Sequence, residues 1–133
     1  MSTVAQAMRK DLKKTTSATP VREAAKLMRD DRVGSLLVEI NGEVVGIVTE
    51  TDIVRRAVAQ GSDLSKMTVQ SIMTTPIATI ESTRTIQDAH DMMGDLGVRH
   101  LGVTAGGTLV GLVSVRDLLI SFKSFSEPRI TQD

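Results

Sequence analysis

The chain repeats itself once. Sliding the 133-residue sequence against itself by 65 positions sets Val33 through Val38 over Val98 through Val103, and Gly46 through Asp52 over Gly111 through Asp117, without a gap. The same offset pairs Thr3 with Thr68, Val4 with Val69, Met8 with Met73, Ser17 with Ser82, Ala24 with Ala89, Met28 with Met93, Asp30 with Asp95, Gly42 with Gly107 and Val45 with Val110. Spacing preserved over most of a chain means two copies of one supersecondary unit. A unit of this size buries too little apolar surface to stand alone, and two copies do not make a solenoid. The expectation is an α+β fold in which the copies pack sheet to sheet as a pseudo-twofold pair.

Both copies carry the same order of local signals. A short extended stretch (Leu12 to Thr16; Ile77 to Ile80) precedes a helix with Val21, Ala24, Ala25 and Met28, or Ile86, Ala89, Met93 and Leu96, at helical spacing. These stripes are expected to face a core. Thr19 before Pro20 predicts a capped start for the first helix, and the second start falls around Thr83 to Thr85. Two β-rich runs follow, Val33 to Ile40 and Val44 to Thr49, joined by Asn41 and Gly42, which accept the positive φ of a tight hairpin. Gly106 and Gly107 do the same in the second copy. A last helix is expected to open at Asp52 or Asp117, where a carboxylate suits the helix N-terminus. The order is β-α-β-β-α, twice, with one repeat over 1–62, the second over 63–126 and a frayed tail over 127–133. Polar, turn-rich residues from Gln60 to Lys66 mark the linker.

Composition removes several function classes. Sixteen basic side chains balance sixteen acidic ones, so no net field holds DNA, RNA or an anionic membrane. Two Phe, with neither Trp nor Tyr, leave no stacking platform for single strands. The absence of Cys excludes disulfides, thiolate metal sites and Cys nucleophiles. No stretch is apolar for the roughly 18 residues of a membrane span, and the first residues lack a signal-peptide core. The chain reads as cytoplasmic.

Chemistry concentrates where a strand meets a helix. Thr49 and Asp52, and again Ser114 and Asp117, place a hydroxyl and a carboxylate three residues apart. An ionised Asp accepts hydrogen bonds only, which suits the vicinal hydroxyls of a ribose, while Ser or Thr both donates and accepts. The alternative is that each Asp is a helix cap, the commoner role for a single Asp in that place; recurrence in both copies favours a ligand. His90 and the seven methionines read as structural, and the pairs Asp30-Asp31 and Arg55-Arg56 as solvated helix charges, with the arginines also suited to a cleft mouth. No Ser-His-Asp set, phosphate-binding glycine loop or metal-ligand spacing is present, and no catalytic or metal-binding residue is assigned.

These residues resemble the tandem cystathionine-β-synthase-type (CBS) domains. Gly46 to Asp52 and Gly111 to Asp117 look like that family's strand-to-helix signature, Val98 to Val103 resembles its middle strand, and Ser71 to Ile77 its usual opening. The likeness runs from about Thr3 to Phe125. It implies a regulatory module that is not an enzyme and that holds adenosine derivatives such as AMP, ADP, ATP or S-adenosylmethionine in two clefts, with no other cofactor required. By the same resemblance one cleft joins Leu12, Lys13, Gly34 and Ser35 to Ser114, Arg116 and Asp117. The other joins Ile77, Ala78, Val98 and Arg99 to Thr49, Thr51 and Asp52. Arg99 and His100 stand where the first copy has Gly34 and Ser35, so phosphate recognition is expected to be unequal. The resemblance further implies a homodimer formed through the helices and an effector protein that reads the bound state. A structural or protein-interaction module with vestigial clefts, detached from a larger enzyme or transporter, is the alternative.

Overall fold

A computed structural model describes residues 2–125, with side chains through Lys123; the tail expected over 127–133 lies outside the described residues. The architecture is mixed α+β with two three-stranded sheets, of order β1-β2-β3 and β4-β5-β6. The first comprises β1 (Lys14–Thr16), β2 (Ser35–Ile40) and β3 (Glu43–Thr49); the second comprises β4 (Thr79–Glu81), β5 (His100–Ala105) and β6 (Thr108–Ser114). In each, a short strand lies parallel to the middle one, which pairs antiparallel with the third. The pairs Ser35 with Thr49 and His100 with Ser114 correspond under the 65-residue offset, as do the register shifts at Val38/Glu39 and Val103/Thr104. Both hairpin turns are as expected, with φ of +51° and +82° at Asn41 and Gly42 and +60° and +86° at Gly106 and Gly107.

The helix that precedes each hairpin is α2 (Val21–Asp31) or α4 (Ile86–Leu96). The first buries Val21, Ala24 and Met28 against Leu36, Val38 and Val48; the second buries Ile86, Ala89 and Met93 against Ile80, Leu101, Val103 and Val113. Leu96 departs from its expected place. It is 55% exposed, because the helix ends there and Gly97 turns left-handed at φ +69°. The α2 start also differs. Pro20 is itself the N-cap, with extended backbone, and Thr19 makes no cap: its hydroxyl accepts from Thr15 at 2.8 Å and lies 3.1 Å from that of Thr16. The free amides at this start are taken instead by the carbonyls of Met67 and Leu64, which accept from Val21 (2.8 Å) and Arg22 (3.0 Å). The α4 start is the better capped. Thr85 Oγ1 accepts from Asp88 N at 3.1 Å and Asp88 Oδ2 accepts from Thr85 N at 3.2 Å, a reciprocal capping box.

The described residues divide into two compact units, residues 12–77 and residues 2–11 with 78–125. The opening segment of each copy therefore belongs to the unit built mainly from the other. In one unit, α1 (Val4–Ala7) drops Val4, fully buried, into the core beneath α4. In the other, a single 3-10 turn (Val69–Ser71) drops in Val69. The backbone bonds correspond: Val4 N to Arg84 O (2.7 Å) matches Val69 N to Thr19 O (2.8 Å). The reciprocal pairing of Arg9 with Leu112 matches that of Thr74 with Ile47. Among the described residues no helix is long and apolar enough to cross a membrane.

Candidate functional site

In the unit of residues 12–77, β3 runs into α3 (Glu50–Asp52), continued by a π-helical stretch, Ile53–Val58. Thr49 is extended, and its hydroxyl accepts from Asp52 N at 3.2 Å while Asp52 Oδ2 accepts from Thr49 N at 3.0 Å. Asp52 thus occupies the third helical position, inside the helix rather than at its opening as the sequence suggests, because Thr49 takes the capping place. It is 6% exposed. Its Oδ1 lies 3.7 Å from Arg56 Nε one turn on, and the Thr74 hydroxyl stands 3.4 Å from each carboxylate oxygen. Arg56 Nη1 also donates to Ile72 O at 3.3 Å.

The other unit repeats the arrangement where β6 enters α5 (Val115–Phe125). Asp117 Oδ2 accepts from Ser114 N and Ser114 Oγ, both at 2.9 Å, and Asp117 N donates back to Ser114 Oγ at 3.2 Å. The other carboxylate oxygen, Oδ1, lies 3.6 Å from Arg9 Nε. Each junction therefore binds one oxygen of a nearly buried carboxylate locally and sets the second beside a guanidinium. The capping role weighed for Asp52 and Asp117 is present in both, and it occupies half of each carboxylate.

The remaining candidates gather around these junctions. Ser35 is buried opposite Thr49, the Gly34 carbonyl accepts from Glu50 N at 3.0 Å, and the Lys13 carbonyl accepts from Leu37 N at 2.9 Å. One unit thus joins Leu12, Lys13, Gly34 and Ser35 to Thr49, Thr51 and Asp52, with Leu12 half-buried and Thr51 exposed. In the other unit His100 lies opposite Ser114, the Arg99 carbonyl accepts from Val115 N at 3.0 Å, and the Ala78 carbonyl accepts from Gly102 N at 2.9 Å. That unit joins Ala78, Val98, Arg99 and His100 to Ser114, Arg116 and Asp117; Val98 is half-buried, Arg99 and Arg116 exposed. Ile77, half-buried, ends the first unit. The groupings implied by the resemblance each draw on both units.

The copies also differ in what stands beside the Gly34 and Arg99 positions. A Cβ at Gly34 would stand 2.6 Å from Glu50 Oε1, whereas Arg99 has Val115, not a glutamate, at the corresponding place. Of the weaker candidates, His90 is exposed, its Nδ1 3.2 Å from Asp91 Oδ1 and its ring edge-on to Phe122 at 6.0 Å. Met28 and Met93 are core residues. Sequence reasoning missed Arg9 and Thr74 as partners of the two aspartates. Arg56 has a local signal, the i,i+4 spacing from Asp52. Arg9 has none, and only the repeat register, which sets it against Thr74, points to it.

The CBS domain family matches residues 4–59 and again 69–124. The CBS domain-containing protein YhcV of Bacillus subtilis is 30% identical over 121 residues, spanning 91% of this chain and 86% of that protein. Protein MK0525 of Methanopyrus kandleri is 31% identical over 118 residues, 87% of this chain but only 60% of that longer protein. Among solved structures, a protein with CBS domains from Burkholderia ambifaria MC40-6 superposes with a TM-score of 0.91 at 32% identity, covering 98% of this chain and 100% of that one. A hexameric CBS-CP12 protein from bloom-forming cyanobacteria superposes with a TM-score of 0.84 at 29% identity, covering 96% of this chain and 76% of that one. With the same fold and two family matches in tandem, the chain belongs to the CBS domain family.

Proposed function

We propose that the chain is a regulatory binding module, not an enzyme, that takes an adenosine-type nucleotide of the AMP, ADP, ATP or S-adenosylmethionine class and passes its occupancy to a partner protein. The observation that carries this reading is the recurrence of one device: a nearly buried Asp with one oxygen held by a capping Ser or Thr and the second turned to a cation. A carboxylate so oriented presents its second oxygen to a ribose diol, whose donors take the place of the cation. In this reading the module acts in the cytoplasm as a homodimer, with no further cofactor. Leu12, Lys13, Gly34, Ser35, Ile77, Ala78 and Val98 supply backbone and apolar contacts to the base, and Arg99 and His100 meet phosphate.

Thermal unfolding with AMP, ADP, ATP and S-adenosylmethionine tests it, since a ligand that binds only the native state raises stability by about 2.7 kcal/mol at a hundredfold excess over Kd. Asp52→Asn and Asp117→Asn are each expected to abolish part of the shift while leaving the unliganded protein folded. No shift at millimolar concentration of any of the four overturns the reading. A second reading has its own observation: both carboxylates are partnered within the fold, as a purely structural or protein-interaction module requires. It is the one left standing if no ligand shifts the transition.

A further inference from the structure

We infer that Arg9 makes the Asp117 junction selective for an anionic riboside, a nucleoside phosphate in preference to a neutral nucleoside or to the sulfonium cation of S-adenosylmethionine. The inference rests on the proposed reading of Asp117 as a ribose acceptor. Asp117 Oδ2 is committed to Ser114, so Oδ1 is the oxygen open to a diol, and its neighbour is Arg9 Nε at 3.6 Å. That separation is too long for a hydrogen bond and short enough for a Coulomb attraction that solvent partly screens. Two backbone bonds with Leu112, of 2.8 and 3.0 Å, hold Arg9 beside the strand that leads into Ser114. Its side chain is 43% exposed and has no other ion-pair partner among the described residues.

A diol that donates to Asp117 Oδ1 takes over the place of Arg9 and frees a permanently charged fork of donors. A phosphate on the same ligand gives that fork a bidentate partner. A neutral nucleoside leaves the guanidinium without a counter-charge, and a cationic ligand adds repulsion. Arg116, exposed and without an ion-pair partner among the described residues, contributes the same sign next to Asp117. The other junction is built differently. Thr74 stands in the place of Arg9, and the cation beside Asp52 is Arg56, already tied to the Ile72 carbonyl. Phosphate recognition is thus not confined to the Arg99-His100 pair expected from the sequence.

Calorimetric titration of Asp52→Asn protein, which retains the Asp117 junction, with AMP, adenosine and S-adenosylmethionine tests the inference. AMP is expected to bind more tightly than either of the others. Arg9→Thr, which installs the residue of the corresponding place, is expected to weaken AMP about tenfold, the scale of a partly screened charged hydrogen bond, while adenosine is unchanged or tighter. Arg9→Lys restores part of the AMP affinity, and the melting temperature of each variant shows that it is folded. If adenosine binds and AMP binds no better, or if Arg9→Thr leaves AMP affinity intact, the selectivity is overturned and the ribose reading survives. If neither binds, the ribose reading of Asp117 falls and takes the inference with it.

Discussion

Asp88 shows how much one side chain at a helix start can hold. The Arg84 guanidinium, bonded to it at 3.0 Å, and then the Thr85 amide hold its carboxyl below the usual carboxylate range. A folded-state pKa below the unfolded value contributes stability that is present above the unfolded pKa of about 3.9 and lost as pH falls through the folded one. Asp88→Asn is therefore expected to lower stability at neutral pH, with the gap to wild type closing in denaturant titrations run at successively more acid pH. Thr85→Ala, which removes the other half of the box, is expected to cost about 1 kcal/mol in the same titrations. Arg32 offers the opposite change. It ends α2 left-handed at φ +56°, where Gly97 does the same for α4 without a Cβ. Arg32→Gly is expected to stabilise the protein by about 1 kcal/mol, seen as a raised denaturation midpoint.

At the scale of elements, the hairpins were legible because Asn-Gly and Gly-Gly turns need no tertiary help, and the helix faces because periodicity reports burial directly. Helix starts were less so. Thr19-Pro20 carries the local pattern of a cap, yet the amides at the start of α2 are met by Met67 and Leu64 from more than forty residues away. The close approach of strand and opening segment is likewise a tertiary fact. A Cβ at Gly46 would come within 2.8 Å of the Thr74 carbonyl, a backbone atom. At Gly111 the nearest obstacle is the movable Met8 sulfur, with the Arg9 carbonyl at 3.0 Å behind it. Gly46→Ala is expected to destabilise by about 1–3 kcal/mol and Gly111→Ala by less, a ranking that thermal unfolding of both variants checks.

For the molecule as a whole, the exchange of opening segments means that each core is completed by residues distant in sequence. Val4 is fully buried against Ile80, Ile86 and Val113 in one unit, and Val69 fills the corresponding place in the other. Val4→Ala is expected to cost about 2 kcal/mol. Hydrogen exchange should then rise first in α4, β5 and β6, although the substitution lies in the first copy. Loss of protection in β1 to β3 instead would show that the sequence copies, not the compact units, are the cooperative bodies.

By itself the sequence determined the duplication, through residue types that recur at a fixed offset of 65, and the order of the elements, the turns and the Ser/Thr-Asp pairs, because these are written in residues within one helical turn or one hairpin of each other. It did not reveal that residues 2–11 fold with 78–125, nor which groups stand against the second oxygen of each aspartate. Arg9 and Asp117 lie far apart along the chain, and nothing local in either reports the other. Only the crossing of the opening segment onto β6, fixed by the burial of Val4 and the pairing of Arg9 with Leu112, brings that charge to the carboxylate.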